Sequence, residues 1–264
     1  MGDRAPGGLS GPEATGAWTA VGPADAPAIV FVHGTRLTRA QWWPQLRLLS
    51  DRYRCVAVDL PGHGALAGVP FTREAAADAV ADAIAAECPE GRAVVVGLSL
   101  GGYVAIDTAD RHPERVAGLV LAGCSAEPRG AATLPLRALA WVLAHAPRGL
   151  LRAVNRAFFQ VRYPSRISGP IIRRGFWPEG GAAALGAVIG TPYLERLALL
   201  WTPVLLVNGA LDPVFGPGGE AWARSCRAGH HEVVGRAMHL VPLDRPRAFS
   251  ALVARFVEGL AQAA

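Results

Sequence analysis

The sequence predicts an α/β fold: a mostly parallel sheet of about six to eight strands, helices on both faces, and a helical cap insertion near the middle of the chain. Three observations carry this. Six short apolar runs recur along the chain, helical patterns fill most of the intervals between them, and one interval is too long to be a bare loop. Strands that alternate with helices give a parallel sheet covered on both sides, because each crossover packs its helix back against the sheet. A chain of 264 residues buries enough surface to hold such a core without disulfides or metals.

Taken in order, the first segment, "MGDRAPGGLSGPEAT" (residues 1–15), is too rich in Gly and Pro to fold and reads as a flexible tail. The runs "AIVFVHG" from Ala28 and "RCVAVDLPGHG" from Arg54 read as buried strands ending in turns. An alanine-rich helix is expected from Thr72 to Cys88, with Ala76, Val80, Ala83 and Ile84 on one stripe. "AVVVGLS" from Ala93 is another strand, followed at once by a helical pattern through Val104, Ile106 and Ala109, and "VAGLVLAGCS" from Val116 is the next. Residues 127–200 then interrupt the alternation. Helical segments at Leu134 to His145 and Leu150 to Phe159 mark them as a cap or lid, since a structureless loop of that length is uncommon. The core therefore comprises 16–126 and 201–264. It resumes with "PVLLVNGALD" from Pro203 and "HHEVVG" from His230, and ends in a helix carrying Phe249, Leu252, Val253, Phe256, Val257 and Leu260 on one face. An insertion that leaves from a strand's carboxyl end roofs the region where open parallel sheets bind ligands.

Composition excludes several functions. Hydrophobic residues make up 51% and charged residues 18%, which is globular, and no apolar run approaches the ~18 residues of a membrane span. The cysteines Cys55, Cys88, Cys124 and Cys226 show no metal-ligand spacing and follow no apolar signal sequence, so reduced thiols in a cytoplasmic protein are expected. All 26 basic residues are arginine, and the net charge is +5. Residues 126–200 hold ten arginines against three glutamates, which leaves the rest of the chain slightly acidic. The arginines are dispersed and accompany no nucleic-acid motif, so nucleic acid is not an expected partner. Whether the basic insertion is a solvated surface or attracts anionic substrates stays open.

The chemistry centres on "Gly97-Leu98-Ser99-Leu100-Gly101", a Gly-x-Ser-x-Gly at a strand-to-helix turn. Small neighbours permit a turn sharp enough to lift the serine hydroxyl into the open, and the helix amino end favours negative charge there. A serine needs a base, and the base needs an acid to orient it. Seven histidines compete. His33 and His63 sit in tight turns, His112 ends a helix, His145 lies in the insertion, and His230 with His231 begins a strand. His239 follows the last strand, at the carboxyl edge. Asp212, directly after "PVLLVNGAL", is the favoured acid, with Glu127 in "GCSAEP" as competitor. The oxyanion needs two N–H donors. Leu100, after the nucleophile, supplies one; Thr35 is chosen for the other, with Arg36 as alternative.

In this order "FVHGTR", "VDLPGHG", "VGLSLGG", "NGALDPV" and "MHLVPLDRP", covering about residues 28–262, resemble the α/β-hydrolase superfamily in its capped, serine-nucleophile, esterase-like form. The resemblance implies the α/β-hydrolase fold, with Ser99 as nucleophile, Asp212 as acid, His239 as base, and Thr35 and Leu100 as oxyanion donors. Neither cofactor nor metal is implied. Little sequence precedes "AIVFVHG", so the family's first strands are abbreviated or lie in "GAWTAVG". A serine at this turn forms an acyl-enzyme, whereas an aspartate would form an alkyl ester. The expected activity is therefore carboxylic ester hydrolysis of a small-molecule acyl substrate. C–C bond, lactone and thioester cleavage, a cofactor-free haloperoxidase or perhydrolase, and a non-catalytic binding protein are the alternatives. Of the insertion's aromatics, Trp141, Phe158, Phe159, Tyr163, Phe176 and Trp177, most are expected in its own core and some, Phe176 and Trp177 foremost, on a wall of the substrate pocket, with Trp42 or Trp43 on the opposite wall. Monomer and dimer remain equally open.

Overall fold

The computed structural model describes residues 16–130 and 133–263, so the predicted tail at 1–15 lies outside the described residues. Seven strands form one sheet: β1 (Trp18–Val21), β2 (Ala28–Val32), β3 (Arg54–Val58), β4 (Ala93–Leu98), β5 (Val116–Ala122), β6 (Val204–Gly209) and β7 (Gly229–Val234). Their order across the sheet is β1-β3-β2-β4-β5-β6-β7. β1 pairs antiparallel with β3, and every other pairing is parallel. The segment "GAWTAVG" thus supplies the one antiparallel strand.

Period-two alternation assigns each strand residue to a face. Val30, Val32, Val56, Val58, Val95, Leu119, Leu121, Val204 and Leu206 pack against α2 (Arg73–Glu87), α3 (Leu100–Arg111) and α9 (Gly219–Ser225). Ile29, Phe31, Cys55, Ala57, Val94, Val96, Val120, Leu205 and Val207 face α1 (Trp43–Leu49) and α11 (Pro246–Ala263), whose Phe249, Leu252, Val253 and Val257 complete that layer. β2, β4 and β6 are buried throughout, each large side chain contributing about 1.5–3 kcal/mol. α2 begins where Thr72 Oγ1 accepts from Ala75 N–H at 3.0 Å, a serine/threonine cap.

Five helices stand between β5 and β6: α4 (Thr133–His145), α5 (Arg148–Arg162), α6 (Ser165–Arg174), α7 (Pro178–Val188) and α8 (Tyr193–Leu199). α8 is tied to the core through Asp107 of α3, which accepts from Arg73 at 2.6 and 3.0 Å, from Tyr193 Oη at 2.9 Å, and from Arg196. The short α10 (Val241–Asp244) precedes α11. Among the described residues no helix is long and apolar enough to cross a membrane.

The topology fixes where chemistry can sit. From β2 the chain crosses to β3 on one side, and from β4 to β5 on the other, so the loops after β2 and β4 diverge and leave a crevice at their carboxyl ends. The loop after β2 begins at His33, and the turn after β4 is Ser99.

Candidate active site

Ser99 joins β4 to α3 with φ 54° and ψ −117°, a left-handed conformation that costs a non-glycine residue about 1–3 kcal/mol. The surroundings hold it there. Its N–H donates to Ala122 O at 2.8 Å. A Cβ on Gly97 would collide with the Gly101 carbonyl, and one on Gly101 with the Val32 carbonyl, so only glycine lets α3 start so close to the sheet. The Leu100 N–H is left without an acceptor among the described residues. Opposite it, buried Gln41 takes the Gly34 N–H on its Oε1 at 2.9 Å and fixes the loop after β2. Thr35 and Arg36 follow with N–H groups also unclaimed. Arg36 has φ 56°, and its carbonyl accepts from Trp177 N–H at 2.9 Å.

Asp212 lies three residues beyond β6 and is buried. Its Oδ1 accepts from the N–H groups of Val214 and Phe215 at 3.0 and 3.1 Å. Its Oδ2 lies 3.1 Å from His239 Nδ1. Burial alone would raise this carboxyl, but the bond from His239 and the two N–H donors outweigh it and hold it below the usual carboxylate range. The Nδ1 side of the ring faces Asp212, and Nε2 has no hydrogen-bond partner among the described residues. The Phe215 ring stacks on the imidazole, centroids 4.8 Å apart at 24°. Phe215 is itself pinned, because Ser125 Oγ donates to its carbonyl at 2.7 Å and accepts from Asn208 Nδ2 at 3.1 Å. His239 follows β7 through a turn in which Arg236 has φ 56°. Glu127 is elsewhere: its Oε2 accepts from Leu194 N–H at 2.9 Å, at the start of α8.

Ser99 and His239 line one cleft of about 190 Å³, together with Leu37, Leu98 and Leu240 and with Phe158 and Phe159 of α5. Ser99 Oγ makes no hydrogen bond to another described group; nucleophile–base contacts are often loose until substrate binds. Among the described residues no group of His, Cys, Asp or Glu is placed to hold a metal ion. The sequence placed His33 and His63 in structural turns, and the structure agrees. His33 donates to Gly34 O at 2.9 Å and accepts from Leu60 N–H at 3.0 Å; His63 donates to Pro61 O at 2.9 Å.

The predicted walls need correction. Trp42 does not line the cleft: it is fully buried, its ring 5.1 Å from Phe31 and 6.1 Å from Phe249 on the α11 face of the sheet. The single-turn helix at Arg39–Trp42 sends this side chain into the layer between β2 and α11. Trp43 opens α1 and is likewise outside the cleft. Phe176 sits one layer back, packed on Phe159 at 5.5 Å. With Trp177 it lines a separate cavity of about 450 Å³ beside Arg152 and Arg156. Arg173 and Arg174, from the basic run of the insertion, are exposed and outside the cleft.

The residues that sequence reasoning missed are Leu37, Leu98, Leu240, Phe215 and the side chain of Arg36. Only Arg36 carried a usable signal, as a cation beside the oxyanion loop.

The model of the alpha/beta hydrolase family matches residues 29–252. The chain belongs to this family. The hydrolase is 33% identical over 245 residues to the pimeloyl-[acyl-carrier protein] methyl ester esterase of Neisseria meningitidis serogroup C, covering 88% of this chain and 94% of the relative. Its structure is similar to that of an esterase from Thermogutta terrifontis solved with malate bound, with TM-score 0.75, 27% identity, and 92% and 93% of the two chains covered. MenH from Staphylococcus aureus shares the fold, with TM-score 0.77 at 19% identity, over 93% and 99% of the two chains.

Proposed function

We propose that this α/β-fold carboxylic ester hydrolase works through Ser99, His239 and Asp212 and an acyl-enzyme intermediate. The observation that carries the reading is the Asp212 Oδ2 to His239 Nδ1 contact of 3.1 Å, in a cleft shared with Ser99. It leaves Nε2 to take the proton from Ser99 Oγ as the oxygen attacks the ester carbonyl. The tetrahedral oxyanion is received by the N–H groups of Leu100 and Thr35, aided by the amino end of α3. Collapse breaks the carbonyl–alkoxy bond, and the departing alcohol takes the proton from His239. Water, deprotonated by His239, then attacks the acyl-enzyme and releases the acid and free Ser99.

The cleft's volume lies below the ~300–1,000 Å³ of drug-sized ligand sites, which favours a short acyl group. Residues 127–200 act as the cap, since Phe158 and Phe159 line the cleft. The name of the Neisseria relative, a methyl ester esterase, supports a small alcohol as leaving group. The four cysteines are free thiols, which supports a reducing, cytoplasmic compartment. The test is labelling by a fluorophosphonate alongside hydrolysis of short-chain methyl esters. Both are expected in the native chain, and both are expected to vanish in Ser99→Ala; labelling that survives in this variant removes Ser99 from the role.

A further inference from the structure

Arg36 stands out among the cations of this chain. Its side chain lines the same cleft as Ser99 and His239. It forms one side-chain hydrogen bond, from Nε to Asn155 Oδ1 of α5 at 2.8 Å, and no ion pair with any described residue. Asn155 is buried and orients itself by donating from Nδ2 to Leu151 O at 2.7 Å. Its carbonyl oxygen is thereby turned toward Arg36, which holds the guanidinium while leaving both terminal amino groups without acceptors among the described residues. Burial lowers the guanidinium's affinity for its proton, and no neighbouring carboxylate offsets this. Arg36 is half-buried, and withdrawing a cation even partly from water is costly without a counter-charge, so such cations are as a rule paired. Elsewhere this chain obeys the rule: Arg39 meets Asp59, and Arg73 and Arg196 meet Asp107. The planar, two-pronged guanidinium matches a carboxylate. The left-handed backbone at Arg36 indicates that the loop holds this residue in place against a conformational cost.

We infer that Arg36 is a carboxylate receptor within the cleft, and that the preferred substrate is a half-ester of a short dicarboxylic acid, its free carboxylate on Arg36 and its ester carbonyl at Ser99. This rests on the Ser99 reading above and deepens it. Because both groups line a space of about 190 Å³, the two ends of one short acid occupy it together. The apolar remainder of the lining suits the methylene chain between them. The substrate class follows from charge rather than from length alone.

The experiment has a turnover arm and a binding arm. Monomethyl glutarate is compared with its uncharged amide analogue, methyl 4-carbamoylbutanoate. The expected result is a kcat/KM at least tenfold higher for the anion, a ratio that falls toward one in Arg36→Gln and is partly restored in Arg36→Lys. In the binding arm, calorimetry on Ser99→Ala compares glutarate with glutaramide. Glutarate is expected to bind at least tenfold more tightly, and the difference to disappear in the Ser99→Ala, Arg36→Gln double variant. Equal handling of charged and uncharged partners in the native chain and in Ser99→Ala, neither of which depends on how the Arg36 variants fold, overturns the inference. If fluorophosphonate still labels Ser99 in that case, the nucleophile reading stands alone. If the anion is preferred in binding but Ser99→Ala still turns over ester, the receptor stands and the nucleophile assignment fails.

Discussion

On the side of the cleft built from the sheet, Asp212 accepts three hydrogen bonds, Phe215 is stacked on His239 and pinned by Ser125, and Ser99 is locked between colliding glycine positions. On the side built from the insertion, Phe158 is 48% exposed and Val161 three residues on is 90% exposed, and Asn155 reaches Arg36 of the loop after β2 through one side-chain bond. The groups assigned to bond-breaking are over-determined by their surroundings, while Phe158, on the far wall of the cleft, is held more loosely. Such a division lets specificity change through the insertion without disturbing the geometry beneath it.

Breaking the sheet side is expected to have the largest effect. Ser99→Ala should lower kcat/KM on a methyl ester by roughly four or more orders of magnitude, with an unchanged or slightly raised melting temperature in calorimetry. Asp212→Asn follows, with a loss of about three to four orders in kcat through the wrong imidazole tautomer. Glu127→Gln in the same assay should be near native, its amide oxygen still accepting from Leu194 N–H, while Glu127→Ala should cost about 1 kcal/mol of stability from the lost cap on α8. A comparable rate loss in Glu127→Gln would undo the contrast drawn between the two acids.

Next in size, Trp42→Ala should cost about 3–5 kcal/mol in urea denaturation while leaving KM near native, because its ring fills the core and not the cleft. A KM that rises with little loss of stability would return Trp42 to the substrate wall.

The buried histidines of the sheet side set a pH dependence. Burial holds His33 down at about 4 and His63 at about 3, against an ordinary value of 6.5. The unfolded chain takes up protons near pH 6.5 that the folded chain refuses until far lower pH. Their contribution is therefore intact above pH 6.5 and falls as pH drops toward 4, by about 1.4 kcal/mol per pH unit for each histidine. Chemical denaturation between pH 7 and 4.5 measures the slope, and His63→Gln should flatten it by about half of that pair's share.

The smallest effect belongs to the insertion side. Phe158→Ala should raise KM severalfold on short esters with kcat little changed, the signature of binding shared equally by ground and transition states. A collapse of kcat would show that Phe158 takes part in organising Ser99 and His239.

What could be read in advance divides along the same line. β2, β4, β5 and β6 announce themselves as short apolar runs, β-branched in β2 and β4, and both core-face assignments follow from alternation alone. The Asp212 and His239 pairing was legible because each residue ends a strand at the edge where Ser99 must be. The insertion was legible only in part. α6 carries Pro170 inside it and α7 begins "PEGG", signals that argue against helix locally and are overridden by packing. The pocket walls were not legible, because neighbours in sequence such as Trp42 and Trp43 diverge once a single-turn helix sets their directions. Phe158 and Phe159 illustrate the same limit: adjacent rings, one half-exposed and one fully enclosed.

Three non-glycine residues among those described have positive φ: Ser99, Arg36 and Arg236. They mark the turn of the proposed nucleophile, the cation beside it, and the approach to His239. Glycine or asparagine would relax each of these backbones. A laboratory lineage selected for heat resistance alone would accordingly drift toward Ser99→Gly and Arg36→Gly, gaining melting temperature with each step. It would arrive at a sturdier molecule that had discarded its chemistry first.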